Sequence, residues 1–297
     1  MRRRAEAPTA AARPGSPAGV DLLTRLRAPG RPRPAVDAGL AGGLRAWLED
    51  AVAPWVQRAP HDRALHDRAL HVTGAAAANI TGSVGVDGDL DAARDAVARA
   101  LFCLVVLGYE VRHPLDDALA VLSVDEQDAA GADRLRHVRP ARRAILRRDA
   151  ALFAGAIAEQ WCPPPPAWLP RIGEQLRVPL AGGRVVLAAS ADLALGGPAA
   201  KTASVCMVQV RAAGPSQGDQ RVRRFLALAE TLRSGAPPLR VATYCAATGD
   251  LCCDDVTDDL LALAVDDVAT ALGARESAGA GTSACVFAAT SGAPRCA

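Results

Sequence analysis

The chain has 297 residues, half of them apolar, which is enough to bury one sizeable core and a smaller appended unit but not more than two ordinary domains. Its formal net charge of +2 is nearly balanced, so composition alone gives no argument for a nucleic-acid partner. No apolar run approaches the roughly 18 residues needed to cross a bilayer, and the first arginines are not followed by a continuous apolar segment. These features exclude a membrane partner and favour a cytoplasmic protein.

The amino-terminal half is predicted to be helical. Residues 1–34 are rich in Pro, Ala, Gly and Arg and predict a basic disordered arm, despite a short apolar patch from Asp21 to Leu26. Residues 35–162 form a predicted helical subdomain, because apolar side chains recur at helical spacing. The predicted helices are Val36 to Gln57, Pro60 to Ala78, Leu90 to Leu107, one that begins at Pro114, and Pro140 to Gln160.

The carboxy-terminal half predicts a sheet. Pro163 to Pro166 is a stiff connector that marks the boundary between the halves, and the periodicity then changes. Residues 163–273 predict the following elements in order: strands Gln175 to Leu180 and Arg184 to Leu195 joined by a Gly-Gly hairpin, strand Thr202 to Arg211, helix Gln220 to Arg233, strand Leu239 to Cys245, and helix Val256 to Leu272. Residues 274–297 predict a disordered tail. The fold class is therefore α/β, with a mixed sheet of β-β-β-α-β order flanked by helices.

The order of these elements and several short sequence motifs resemble a known superfamily. The matching segments are Pro163 to Trp168, Glu174, Asp192 to Gly196, Gln209 to Arg211, Phe225 to Leu232, Gly235 to Thr243, and Asp255 to Thr257. Together they resemble the PD-(D/E)XK (RecB-like) nuclease superfamily, in particular a group of actinobacterial RecB-like nuclease-domain proteins. The resemblance covers about residues 160 to 272. It implies a nuclease-type core.

The resemblance also implies a metal-dependent nuclease site, but most of the residues expected there are replaced by others. Two carboxylates on adjacent strands hold a divalent cation in such enzymes, and a lysine helps to position and acidify the attacking water. Asp192 falls on the first carboxylate, Gln209 on the second, and Arg211 on the lysine. Glutamine removes one negative charge, and arginine does not release a proton near neutral pH. We therefore expect weak or absent binding of Mg²⁺ or Mn²⁺.

Two further residues are predicted to flank this site. They are Glu174, a candidate metal ligand beside Asp192, and Gln220, a candidate catalytic residue at the start of the helix. The family also has a motif with polar residues on the helix before the sheet, and residues 100–105 match it best. Leu101 and Val105 stand at the positions that are polar in that motif. Simpler explanations remain open for the site residues: Asp192 as a turn-stabilising aspartate at a strand end, and Gln209 with Arg211 as an exposed strand face.

A basic helix is the second functional signal. The arginine ridge consists of Arg139, directly before the predicted helix Pro140 to Gln160, and Arg142, Arg143 and Arg147 within it. Arg139, Arg143 and Arg147 recur every four residues, which is helical spacing. Such a ridge can follow the phosphates of DNA, while the alternative is a solvated helix face. No aromatic side chains are interleaved to stack on single-stranded bases.

Cysteine chemistry is not predicted. The chain has eight cysteines, but without a secretion signal they are expected to be reduced, and Cys103 and Cys206 lie inside apolar runs. Cys245, Cys252 and Cys253 do not have the paired spacing of a zinc site.

Three hypotheses for function follow. The first is a catalytically degenerate RecB-like protein that acts in nucleic-acid or protein binding. The second is a weakly active Mg²⁺/Mn²⁺-dependent DNA nuclease. The third is a structural protein unrelated to nucleases.

Overall fold

A computed structural model gives the fold of most of the chain. It describes residues 22–27, 32–58, 70–73, 88–124, 135, 138–161, 164, 166–197, 203–214 and 216–277. Most of the predicted tail and most of the predicted arm lie outside these ranges. Residues 274–277, predicted to be disordered, instead end a helix that begins at Asp258, so that prediction is wrong at these four residues. In the part that is described, no helix is both long enough and apolar enough to span a membrane.

Helices and strands follow one another in a mixed order. The helices are α1 (Leu22–Arg27), α2 (Leu40–Arg58), α3 (Gly88–Val106), α4 (Pro114–Val124), α5 (Pro140–Gln160), α6 (Gln217–Ser234) and α7 (Asp258–Ser277). The strands are β1 (Leu70–Thr73), β2 (Arg171–Leu180), β3 (Val185–Leu195), β4 (Cys206–Arg211), β5 (Arg240–Cys245) and β6 (Asp250–Asp255). The predicted α/β class, with a mixed sheet flanked by helices, is confirmed.

All of the described strands join one mixed sheet. β2 pairs antiparallel with the whole length of β3, and the hairpin between them turns at Gly182 and Gly183, which have φ of 66° and 87°. The other edge of β3 is shared, because β1 pairs parallel with residues 185–188 and β4 pairs antiparallel with residues 193–195. β5 is parallel to β4, and β6 forms the far edge, antiparallel to β5. The carboxyl ends of β4 and β5 therefore meet at the same edge of the sheet.

Each face of the sheet has its own apolar core, because side chains alternate along β4. Val208 and Val210 face the core that contains α1, α3, α4 and α5. Met207 faces the core that contains α2, α6 and α7. The helices of the predicted helical subdomain thus cover both faces of the sheet, so the two predicted halves share their cores across the boundary at residue 162.

Three elements differ from the prediction. Leu22–Arg27 forms a helix inside the segment predicted to be disordered, and its three leucines are buried against the sheet. Leu70–Thr73 forms a strand where a helix from Pro60 to Ala78 was predicted, so that prediction is wrong at these four residues. Asp250–Asp255 forms an edge strand that was not predicted. All three are short. α1 and β1 contact strands that are distant in sequence, whereas β6 pairs with β5, the strand directly before it.

Candidate functional site

The regular alternation of side chains along β3 is interrupted at Asp192. Ala191 belongs to the core on the α6 side, whereas Leu193 belongs to the core on the α3 side. Opposite this point, Gly173 of β2 has a φ of 65°, a left-handed conformation that favours glycine. The two neighbours of Asp192 therefore pack on opposite faces of the sheet, and its carboxylate is directed along the edge toward β4.

Asp192 and Gln209 bridge a gap between β3 and β4. The ladder between these strands begins at Leu193, and among the described residues the four positions before it have no backbone partner on this edge. Asp192 Oδ2 accepts a hydrogen bond from the backbone N–H of Val210 at 2.6 Å. The Gln209 side-chain amide donates to the Ser190 carbonyl oxygen at 3.4 Å. Both side chains thus replace backbone bonds that the diverging strands do not make.

The burial of Asp192 opposes its ionisation. The residue is 9% exposed, and this desolvation raises the pKa of its carboxyl group above the ordinary value. The charge of Arg99, the hydrogen bond from Val210 and the charge of Arg211 act in the opposite direction, while Asp95 adds to the increase. The electrostatic environment therefore contains two arginines and a second aspartate around one buried carboxyl group.

Arg211 binds two aspartates on helices that lie on opposite faces of the sheet. Its Nε lies 2.9 Å from Asp219 Oδ1 of α6, and its Nη1 lies 3.1 Å from Asp95 Oδ2 of α3. The other oxygen of Asp95 accepts the N–H of Ala212 at 2.8 Å. Burial alone would lower the pKa of Arg211, but Asp95, Asp219 and Asp192 together raise it. We call Arg211, Asp95 and Asp219 the arginine bridge.

The start of α6 fixes Asp219 in this position. Ser216 is the N-cap: its Oγ accepts the N–H of Asp219 at 3.2 Å and donates to Asp219 Oδ2 at 2.7 Å. Asp219 Oδ2 also accepts the Ser216 N–H at 2.8 Å, which completes a capping box. One carboxylate oxygen of Asp219 therefore caps the helix while the other binds Arg211.

We expect Ser216→Ala to lower the free energy of unfolding by about 1 kcal/mol, because the substitution removes an N-cap hydroxyl. Urea unfolding followed by circular dichroism measures this loss. The control is Thr257→Ala, because Thr257 Oγ1 accepts the N–H of Leu260 at the start of α7, away from the arginine bridge. Both variants should lose the cap energy. A loss in Ser216→Ala no larger than experimental error would contradict the capping role.

A second ion pair lies beside the site on the α6 side of the sheet. Arg223 is buried, with Nε 2.5 Å from Asp254 Oδ2 of β6 and Nη1 3.0 Å from Thr243 Oγ1 of β5. Thr243 is the register partner of Gln209. Arg223, Thr243 and Asp254 therefore form a small polar group within the otherwise apolar interface between α6 and the sheet.

The structure brings together three of the predicted site residues and separates the others. Asp192, Gln209 and Arg211 all lie near the carboxyl end of β4. Glu174 belongs to a different cluster, with Arg171 at 3.0 Å and Arg233 at 3.2 Å. That cluster also contains Glu230 of α6, whose pKa is raised by burial.

Gln220 and the predicted helix motif contribute little to the site. The side chain of Gln220 is exposed in the first turn of α6, and its backbone N–H bonds to Ser216. Leu101 is fully buried and Val105 packs against the same core, so both are apolar packing residues. Helix α3 instead supplies Asp95, six positions before Leu101, together with the charge of Arg99. The only sequence signal for Asp95 was its polar side chain about one and a half helical turns before the apolar second half of α3.

The arginine ridge lies on the first half of α5. Arg139 and Arg147 are exposed, and Arg142 is partly exposed. Arg143 approaches Asp116 of α4 at 3.7 Å, with both side chains substantially exposed. Asp149 on the same helix is buried and binds Arg94 and Arg148.

The thiols are poorly suited to nucleophilic chemistry. Burial raises the pKa of both Cys206 and Cys245 to about 11, so both are protonated at neutral pH. In the described ranges, no group of three or more His, Cys, Asp or Glu side chains is arranged to hold a metal ion.

Comparisons with models of known protein families and with curated proteins found no match. The chemistry of the site therefore has to be judged from its own geometry. That geometry provides internal ion pairs, a capped helix start and one buried carboxyl group.

Proposed function

We propose that the chain is a RecB-like PD-(D/E)XK nuclease-family protein whose core does not cut phosphodiester bonds and that acts as a binding module. The observation that carries this proposal is the arginine bridge, because the guanidinium of Arg211 lies between Asp95 and Asp219. A permanent cation of the protein is therefore already bound to two carboxylates beside Asp192.

A divalent cation such as Mg²⁺ or Mn²⁺ fits this set of residues poorly. Affinity for such ions depends on the number of ionised carboxylates that converge on one point. The burial of Asp192 raises the pKa of its carboxyl group, and one of its oxygens is bonded to Val210. Gln209 carries no charge, and the Glu174 carboxylate is bound by Arg171 and Arg233. These contacts support a structural role for Asp192, Gln209 and Glu174.

The alternative of a weakly active DNA nuclease draws on one observation. Asp95, Asp192 and Asp219 all contribute to the electrostatic environment of Arg211, so three carboxyl groups lie around a single position. If Arg211 moved away on binding a substrate, these groups would be available to a cation. We call the proposed core that does not cut phosphodiester bonds the silent core. Direct measurement of cleavage separates the nuclease alternative from this silent core.

Incubation of the full chain with single- and double-stranded DNA in Mg²⁺ and then in Mn²⁺ tests the proposal. We expect no cleavage with either metal and no rise in the unfolding temperature on adding them, because a specifically bound ion would stabilise the folded state. The matched control is Asp192→Asn, which keeps an oxygen acceptor for Val210. Metal-dependent cutting by the natural chain that disappears in this variant would overturn the proposal.

A further inference from the structure

We infer that the arginine ridge binds the phosphate backbone of double-stranded DNA without reading its sequence. This inference deepens the proposed function, since it names the partner of the binding module and the surface that holds it. The surface is distinct from the arginine bridge, because α3 separates the two. Arg94 of α3 binds Asp149 of α5, whereas the next residue, Asp95, binds Arg211 of β4.

The ridge presents positive charge at regular intervals. Arg139, Arg143 and Arg147 are four residues apart, so they rise along the helix axis by about 6 Å from one to the next. In the described part of the chain, neither Arg139 nor Arg147 forms an ion pair. The acidic residue of this helix half, Asp149, is buried and neutralised by two arginines. The outward field of the first half of α5 is therefore positive.

This placement of charge is unfavourable for the isolated helix. The amino-terminal end of a helix carries partial positive charge, so cations there reduce helix stability while an anion would be attracted. Arg139 is the N-cap of α5 and makes no capping hydrogen bond with its side chain, and Arg142 follows within the first turn. A bound phosphate would relieve both effects at once.

The shape of the surface favours duplex DNA over a single strand. Ala141 and Ala144 are exposed between the arginines, and these small side chains allow a close approach of the helix. The aromatic residue of α5, Phe153, is buried in the core, so this helix offers no stacking platform for unpaired bases. B-form DNA has a major groove wide enough to admit an α-helix, with phosphates along both rims. The positive charge of the ridge therefore matches the phosphates of a DNA duplex, and α5 offers no aromatic side chain to a single strand.

Salt-dependent binding of the full chain to a duplex of mixed sequence tests the inference. All titrations contain a chelator, so that cleavage cannot interfere. About four neutralised phosphates should give a slope near −3.6 for log affinity against log salt, which is a loss of roughly 100-fold between about 50 and 200 mM. A single strand of the same length should bind more weakly.

Three sets of variants locate the binding surface. Alanine at Arg139, Arg142 and Arg147 together should reduce the slope to about −1, since each lost contact removes about 0.9. Lysine at the same three positions should keep the slope, because it keeps the charge. The control is alanine at Arg177 and Arg184, exposed arginines of the β2–β3 hairpin, which should leave affinity unchanged.

Four outcomes would overturn the inference: no affinity at low salt, an unchanged slope in the alanine variant, an equal loss in the hairpin control, or tighter binding of the single strand. None of these bears on the silent core, which is judged by the cleavage measurement. Metal-dependent cleavage with the expected salt slopes would instead reject the silent core and leave the duplex-binding ridge in place.

Discussion

Replacing Arg211 with alanine should lower the free energy of unfolding by about 4 kcal/mol, because removing one partner from a buried ion pair leaves uncompensated charge. The side chains of Arg211, Asp95 and Asp219 are 26%, 25% and 11% exposed, so solvent screens them incompletely. Without Arg211, Asp95 and Asp219 would lose the cation that they share beside Asp192. Urea unfolding at neutral pH gives the measured loss.

Two comparisons show whether the loss arises from the arginine bridge. Arg211→Lys keeps the charge but replaces the planar fork with one ammonium, which does not span two carboxylates on separate helices, so an intermediate loss is expected. Arg112→Ala serves as the control, because its ion pair with Glu110 is exposed and should contribute little.

A double-mutant cycle tests the coupling directly. Asp95→Asn removes one charge that Arg211 compensates, so the double variant should be less destabilised than the sum of the two single variants. Strict additivity would mean that the contact between Arg211 and Asp95 contributes nothing to folding, and the structural role that supports a silent core would lose its basis.

Much of the sheet could be predicted because its pattern is local. The β2–β3 hairpin follows from two apolar runs around Gly182 and Gly183, and the structure places left-handed glycines there. Helix α6 follows from its apolar periodicity, although the capping box at Ser216 starts it three residues before the predicted position. Strand β5 was predicted within one residue.

The missed elements lack a local pattern. Asp250–Asp255 contains three aspartates, which are rare in strands, and it is held by pairing with β5 and by Arg223 and Arg240. Helix α1 is too short to form alone, and it is stabilised by burying its leucines and by the bond from Arg25 to the Leu251 carbonyl. Helix α1 therefore depends on contacts between distant parts of the chain, whereas β6 depends on a hairpin with β5 that its unusual strand composition does not indicate.

The site was predictable only in part for the same reason. Asp192, Gln209 and Arg211 stand at fixed places in a strand pattern, so their proximity could be predicted from sequence. Asp95 lies 116 residues before Arg211, and no spacing rule connects the two. Its presence changes the interpretation of Arg211 from an altered catalytic residue to a structural cation.

Two substitutions of Asp192 should show whether its hydrogen bond or its charge contributes more to the free energy of unfolding. Asp192→Ala removes the acceptor for the buried Val210 N–H and should cost about 2 kcal/mol. Asp192→Asn keeps an acceptor oxygen and should stay within about 1 kcal/mol of the natural chain at neutral pH. An equal loss in both variants would mean that the hydrogen bond is not what Asp192 contributes.

The pH dependence of the asparagine variant tests the burial of the charge. The pKa of Asp192 is raised in the folded state above the ordinary aspartate value of about 3.9. At a pH between these two values, Asp192 keeps its proton in the folded chain but releases it in the unfolded chain. Stability from this group is full below the ordinary value and falls as pH rises through that window. Asparagine does not titrate, so the stability of Asp192→Asn relative to the natural chain should increase with pH. A relative stability that stays constant would mean that folding does not shift the pKa of Asp192. A relative stability that falls as pH rises would show that ionised Asp192 is favourable in the fold, as a carboxylate of a functioning cation site would be.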